Sequence, residues 1–317
     1  MTALGLDTSN YTTSTALCSL REGDVVQKKQ LLPVAEGQMG LRQSDALFHH
    51  VRQLPDLLEA LRAEQAAPIA CVGASDRPQQ TEGSYMPCFL AGTGAGREIA
   101  ASLGVPFYRF THQQGHVAAA LYGAECLSWM EHPFLAFHVS GGTTDALLVE
   151  PDEESLLRCR VVARSLDLKA GQLIDRVGGM LGLAFPAGPA LEALALTDDT
   201  PFKIRPTMKD GCCHLSGVQN QCETMLKNGA SAAQVARFCL LSVEAAVVSM
   251  TEHLFATFGT LPLVYAGGVM SNTLLRASLS ARFGGRFAPP MFSADNAAGI
   301  AVLTAIRYDG SFLERRG

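Results

Sequence analysis

Phe134-Leu135-Ala136-Phe137-His138-Val139-Ser140-Gly141-Gly142-Thr143-Thr144-Asp145-Ala146-Leu147-Leu148-Val149 joins two apolar runs through a turn built from glycines and hydroxyl residues. It reads as a strand, a tight turn and a returning strand. An acidic loop and a third run, Arg160 to Arg164, complete a meander. The same grammar opens the chain: Leu4 to Asp7, a turn at Ser9-Asn10, Thr12 to Leu17, a turn at Glu22-Gly23-Asp24, then Val25 to Leu32. Solenoid repeats recur every ~20–50 residues, so a recurrence this far apart points instead to two similar lobes. The chain's 317 residues suit two domains. We expect an N-terminal lobe over 1–130 and a C-terminal lobe over 131–317, with the last helix packing back on the N-terminal lobe.

Working outward, Ser44 to Ala63 has apolar residues at helical spacing, with Pro55 expected to start a second helix or kink the first. Thr93 to Ser102, His112 to Leu121 and Ser231 to Phe258 also read as helices. Leu263 to Ala266 is a buried-strand run ending at Gly267-Gly268, and Asn272 to Leu279 follows as a helix. Asp295 stands where it would cap a helix over Asn296 to Arg307. Strands alternating with helices, together with hairpins, predict an α/β protein with mixed sheets.

Composition narrows the function. Hydrophobic residues make up 48% and charged residues 17%, enough apolar surface for large cores and against extended disorder. The net charge of −5 excludes a generic polyanion binder, so contact with nucleic acid needs a local basic cluster. Lys203, Arg205 and Lys209 form one, with a solvated loop as the alternative. Apolar runs such as Leu261 to Met270 are short of the ~18 residues of a span, and Arg237 and Glu244 interrupt the helix near Cys239, so no membrane segment is expected. The N-terminus carries no basic-then-apolar leader pattern. Nine scattered cysteines without a C-x-x-C pair suit reduced thiols and a cytoplasmic location. Cys212-Cys213-His214 has no second pair at zinc spacing.

Three groups of residues could carry chemistry. The turns Asp7-Thr8-Ser9-Asn10 and Ser140-Gly141-Gly142-Thr143-Thr144, with the strand-to-helix turn Ala266-Gly267-Gly268, offer amides and hydroxyls to phosphates, although each alone could be an ordinary turn. In His112-Gln113-Gln114-Gly115-His116 two imidazoles share one helix face, a workable bite for a divalent metal or simply a pair of helix histidines. Asp295 is the best third ligand. A zincin protease would need glutamate where Gln113 stands. Asp167 and Asp175, eight apart, fall near one helix face, where they could bind ribose or simply be solvated.

The order Leu4-Gly5-Leu6-Asp7-Thr8-Ser9, His112-x-x-Gly115-His116, Val139 to Thr144, Asp167 to Val177, Phe185-Pro186-Ala187-Gly188-Pro189, Leu215-Ser216-Gly217, Ala266-Gly267-Gly268-Val269-x-x-Asn272 and Asp295-Asn296-Ala297-Ala298 resembles the TsaD-type family over nearly the whole chain. Its members are catalytic subunits of tRNA threonylcarbamoyladenosine synthase, also labelled glycoproteases or O-sialoglycoprotein endopeptidases. The resemblance implies a two-lobed actin/Hsp70/sugar-kinase-like fold with duplicated ribonuclease-H-like domains. It implies iron or zinc on His112, His116 and Asp295, and phosphates along Ser140, Gly141 and Gly142, with Gly267 and Gly268 as the companion glycine turn. Asp175, Gly188 and Asn272 would hold the ribose and adenine of ATP or threonylcarbamoyl-AMP. Asp7 and Ser9 are the catalytic candidates. The implied reaction passes the threonylcarbamoyl group to the adenosine beside the tRNA anticodon, with partner subunits of the synthase and no membrane.

The chain departs from the family on the acceptor side. Asn10-Tyr11-Thr12 replaces Cys and an Asp-Glu pair, and Arg42 to Phe48 replaces Val-Pro-Glu-x-Ala-Ser-Arg. Thr81 to Cys88 replaces Pro-Gly-Leu-x-Gly-Ala-Leu, and Asp167-Leu168-Lys169-Ala170-Gly171-Gln172 replaces Asp-Asp-Ala-Ala-Gly-Glu. A divergent paralogue is the reading that follows. Its alternative is a non-catalytic or altered-acceptor relative that binds ATP within an assembly, including one acting on a small molecule.

Overall fold

The computed structural model describes residues 1–9, 11–33, 41–294 and 296–315. Along the chain run β1 (Thr2–Thr8), β2 (Thr12–Ser19), β3 (Val25–Leu31), α1 (Gln43–Glu64), β4 (Ile69–Arg77), α2 (Phe89–Leu103), β5 (Phe107–Thr111) and α3 (His112–Gly123). Then come β6 (Phe134–Val139), β7 (Thr144–Asp152), β8 (Leu156–Arg164), α4 (Ala170–Met180), α5 (Gly188–Ala195), β9 (Thr207–Lys209), β10 (Cys212–His214), α6 (Ser216–Lys227) and α7 (Ala232–Phe258). Last are β11 (Leu263–Ala266), α8 (Thr273–Phe283), β12 (Arg286–Phe287), α9 (Pro290–Ser293) and α10 (Ala298–Tyr308).

The chain divides into two compact units. The first comprises Met1–His132, Glu150–Cys159 and Met291–Gly317; the second comprises Pro133–Val149 and Arg160–Pro290. The first is built on a five-stranded sheet of order β3-β2-β1-β4-β5. β1 pairs antiparallel with β2 and parallel with β4, so the meander read from the sequence is joined by strands returning through helices. β1 is buried along its whole length, because α10 packs on it as well as α2. Gly5 permits this approach: a Cβ there would overlap the Ala301 amide nitrogen of α10. Gly299 does the same on the opposite side of α10, where a Cβ would strike the Gly115 carbonyl of α3.

The second sheet has the order β12-β11-β6-β7-β8, with β6 antiparallel to β7 and parallel to β11. Its core joins Leu135, Phe137 and Tyr265 of the sheet to Leu173 and Val177 of α4 and to Cys239, Val243 and Val247 of α7. The expected strands at Phe134 to Val139 and Leu263 to Ala266 match these elements end to end.

Four local expectations are corrected. Pro55 lies inside an unbroken α1, whose buried His50, Leu54 and Leu61 straddle it on the packed face. α2 begins at Phe89, earlier than expected, since the Thr93 hydroxyl donates to the Phe89 carbonyl at 2.9 Å as an interior residue. Asp167 precedes α4 and does not share a helix face with Asp175. α10 starts at Ala298, and its first amides are met by Asn296, whose Oδ1 accepts from Ala298 N–H at 3.0 Å; Asp295 lies outside the described residues. Among the described residues α7 is long and apolar enough to cross a membrane by length and composition, despite Arg237 and Glu244. Twelve of its residues are buried in the second unit's core, from Val235 to Leu254.

Gly5→Ala should lower stability by about 1–3 kcal/mol, the usual overpacking cost, or more because the obstacle is backbone. Urea denaturation followed by circular dichroism checks this. A midpoint equal to that of the unmodified chain would contradict the packing described.

Candidate functional site

In the first unit the candidate site starts from Asp7, near the end of β1. Its side chain is 1% exposed. A carboxylate buried this deeply needs donors, because desolvating the charge costs several kcal/mol. Ser75 on the neighbouring β4 donates its hydroxyl to Asp7 Oδ1. His112 Nδ1 lies 3.1 Å from each carboxylate oxygen. An ionised carboxylate only accepts, so Nδ1 carries a proton, and in the neutral ring Nε2 of His112 presents its lone pair.

α3 fixes where that lone pair points. Thr111 caps the helix: its hydroxyl accepts from Gln114 N–H at 3.2 Å, while Gln114 Oε1 accepts from Thr111 N–H at 2.8 Å, a capping box. The Gln114 amide donates onward to the carbonyls of Ser155 (2.9 Å) and Leu157 (2.7 Å). Gln114 is thus fully committed to structure. With the first turn held this way, His116 falls one turn beyond His112 and the two Nε2 atoms stand 2.8 Å apart.

At that separation His116 Nε2–H donates to His112 Nε2; with that proton lost, the two imidazole nitrogens, one of them oriented by a buried carboxylate behind it, form a donor set suited to a divalent transition metal. His112 and His116 therefore fit as ligands. The third expected ligand, Asp295, lies outside the described residues, and among the described residues no group of three or more His, Cys, Asp or Glu side chains gathers at one point. Cys213 is buried on β10 within the second unit's core, so Cys212-Cys213-His214 makes no metal site either.

Ser9 follows β1. It is 3% exposed and its hydroxyl has no partner among the described residues. Asn10 lies outside those residues.

In the second unit the loops gather at the carboxyl ends of β6 and β11, the usual place for a ligand in an open α/β sheet. The Ser140 turn closes by Ser140 N–H to the Thr143 carbonyl at 2.7 Å. The Ser140 hydroxyl accepts from the amides of Gly142 (3.3 Å) and Thr143 (3.1 Å). A Cβ on Gly141 or Gly142 would meet nothing, so this backbone stands open to an approaching group.

Two other glycines make the junction possible. Gly171 in the first turn of α4 sits against the Ser140–Gly141 peptide and donates its N–H to the Ser140 carbonyl at 3.1 Å; a Cβ there would collide with that turn. Gly267 has φ +98°, and a Cβ on it would strike the Val139 carbonyl. The Gly267-Gly268 turn therefore lies against the residue that precedes Ser140. Sequence reading singled out Gly141, Gly142, Gly267 and Gly268 but missed Gly171 and Ser75. A glycine in a helix's first turn was the available signal for the former; a lone serine in a strand gives none.

Hydrogen bonds of neighbouring residues fix the segments that carry Asp175, Gly188 and Asn272. Asp175 Oδ1 accepts from Ala187 N–H at 2.9 Å, fixing the start of α5 at Gly188. From α5, Glu192 accepts the Thr273 amide at 2.7 Å and the Thr273 hydroxyl. Asn272 Oδ1 caps α8 by accepting from Leu275 N–H at 3.1 Å, and its amide nitrogen has no partner among the described residues. Asp167 instead ties α4 to α6. Burial works against its charge, but the Ser216 hydroxyl and the Leu215, Leu168 and Ser216 amides outweigh it and bring the carboxyl down to about 2.

The sequence profile of TsaD, tRNA N6-adenosine threonylcarbamoyltransferase, matches residues 38–302. The chain belongs to the TsaD family. A protein of that name from Albidiferax ferrireducens is 30% identical over 97% of this chain and 92% of its own length. One from Thermus thermophilus is also 30% identical, over 98% and 94%. Among solved structures, HypF from T. kodakarensis has a TM-score of 0.61 at 13% identity, covering 99% of this chain and 48% of that one. The Acidaminococcus fermentans (R)-2-hydroxyglutaryl-CoA dehydratase component A has 0.55 at 15%, covering 97% and 98%. These likenesses show the fold, an α/β fold of the actin, Hsp70 and sugar-kinase class. Where the chain departs from the usual TsaD pattern, Arg42 caps and Gln43 to Phe48 open α1, and Tyr11 is 41% exposed between β1 and β2.

Asp7→Asn should keep the fold but remove the acceptor-only group behind His112. Titration with Zn²⁺ or Fe²⁺ should show affinity weakened about 10–100-fold, the usual effect of losing such a partner. Affinity equal to that of the unmodified chain would show that Asp7 does not orient the imidazole.

Proposed function

We propose that this chain transfers a threonylcarbamoyl group from threonylcarbamoyl-AMP to the exocyclic amine of the adenosine beside the tRNA anticodon, working with partner subunits of a synthase. The observation that carries the reading is that His112 and His116, two of the three residues the TsaD resemblance implies for metal binding, face each other, with the buried Asp7 carboxylate behind His112. In the reaction the amine nitrogen forms a bond to the carbamoyl carbon, the carbon–oxygen bond to the phosphate breaks, AMP leaves and the amine gives up a proton.

Each unit contributes chemistry of its own. In the first, His112 and His116, with Asp295, would hold iron or zinc, which when bound supplies positive charge to offset phosphate oxygens. Asp7 is a positioning residue here, because its carboxylate is occupied by Ser75 and His112 and is sealed from solvent. The Ser9 hydroxyl, without a partner among the described residues, is suited to a substrate oxygen. In the second unit the open amides of Gly141 and Gly142, with Gly267 and Gly268, would take the phosphate side of the nucleotide. The side-chain NH2 of Asn272, without a partner among the described residues, and the backbone at Gly188 would take ribose and adenine, with Asp175 fixing the segment that presents Gly188.

The altered residues Asn10 to Thr12 and Leu168-Lys169 support a second reading, an ATP-binding relative that acts on another acceptor or serves an assembly without catalysis. One assay separates the two: incubation with radiolabelled threonylcarbamoyl-AMP, unmodified tRNA and the family's partner subunits. Label should appear on tRNA and fall by about a hundredfold or more in His116→Ala, in line with losing charge stabilisation of the leaving group. Adenylate bound without any label on tRNA would contradict transfer to tRNA and favour the second reading.

A further inference from the structure

Residues Pro201 to Lys209 run Pro-Phe-Lys-Ile-Arg-Pro-Thr-Met-Lys, with three cations and no anion in a chain of net charge −5. Their exposure alternates strictly. Lys203, Arg205, Thr207 and Lys209 are exposed, while Phe202, Ile204, Pro206 and Met208 are half-buried. This is the pattern of an extended chain with one face down. The lower face is anchored on α7: Phe202 packs edge-on to Phe238 at 5.4 Å, and Phe202, Ile204 and Pro206 line a groove with Leu241, Ala245 and Val248. Arg237 Nε donates to the Thr200 carbonyl at 3.2 Å, holding the segment's start. Its end is β9, paired with β10 so that Thr207 faces His214 and Lys209 faces Cys212.

The side chains of Lys203, Arg205 and Lys209 make no ion pair or hydrogen bond among the described residues. By contrast Arg158, Arg282 and Arg315 are all paired. Unpaired cations in a row on an anchored strand repel one another, and a partner carrying regularly spaced negative charge relieves that repulsion. Neighbouring outward positions on an extended strand are ~6–7 Å apart, commensurate with successive phosphates on one nucleic acid strand. Flexible acidic protein segments lack such fixed spacing.

The strand also leads toward the nucleotide loop of its own unit. Cys213 of β10 accepts from Leu166 N–H at 2.9 Å, and Ser165 N–H in turn donates to the Thr144 carbonyl at 2.8 Å, at the foot of the Ser140 turn.

We propose that Lys203, Arg205 and Lys209 form a rail that binds the phosphodiester backbone of the RNA acceptor. This rests on the reading of tRNA as acceptor and adds the surface that holds it. Such contacts position the strand without reading its sequence.

The test is tRNA binding, by filter retention or fluorescence anisotropy across a salt series, with the full chain and a Lys203→Gln/Arg205→Gln/Lys209→Gln variant. Each lost phosphate contact lowers the steepness of log affinity against log salt by about 1. The variant should lose about 2–3 from that slope and bind tRNA about 10–100-fold more weakly at low salt, with ATP binding and thermal unfolding unchanged. A Lys227→Gln/Arg286→Gln variant, neutral at two exposed sites elsewhere in the unit, should bind like the unmodified chain. If the rail variant binds tRNA with unchanged affinity and slope, the rail is refuted while tRNA as acceptor stands. If the unmodified chain binds no tRNA, both fall. If polyglutamate binds the rail as tightly as tRNA does, the surface serves an acidic protein and the proposal is overturned.

Discussion

A single buried carboxylate organises the first unit's chemistry. Asp7 lies at the end of a strand covered on both faces, where an unpaired charge would cost several kcal/mol. The fold answers with Ser75 from the next strand and His112 from the first turn of α3. Meeting the carboxylate's need for donors also sets the tautomer and heading of the imidazole. The stability problem and the functional geometry thus share one solution. The arrangement depends on β1 being central, hence on α10 reaching it across Gly5, and on the Thr111–Gln114 capping box that starts α3 at the correct residue.

The second unit solves a different problem by leaving side chains out. Gly171 and Gly267 let α4 and the turn after β11 close on Val139 and Ser140, so that three segments distant in sequence share one corner. Around that corner Asp175, Glu192 and Asn272 spend their oxygens on backbone amides. The segments they fix present open backbone at Gly141, Gly142 and Gly188, the kind of surface to which a nucleotide can come close.

Much of this was legible in the sequence because its signals are local. The apolar runs at Phe134 and Leu263 are bounded by glycine turns, and His112 and His116 declare a shared helix face by spacing alone. What escaped reading is tertiary. Pro55 stays within α1 because the residues around it pack on the sheet, which outweighs the lost backbone hydrogen bond. Asp167 lies outside α4 because the amides of Leu215 and Ser216, far along the chain, claim its carboxylate. Asp7 was a catalytic candidate, but it is buried at the end of β1, where Ser75 and His112 take up its carboxylate. Nor does the sequence show that Phe202, Ile204, Pro206 and Met208 would hold the basic segment flat, since only the fold supplies the surface on which they rest.

The central claim is that the Asp7 carboxylate fixes the proton of His112 on Nδ1 and leaves Nε2 unprotonated, accepting from His116. Long-range ¹H–¹⁵N correlation of the histidine rings in the metal-free chain near neutral pH reads this directly. The account predicts a protonated Nδ1 and an unprotonated Nε2 for His112. A spectrum placing the proton of His112 on Nε2 would contradict it.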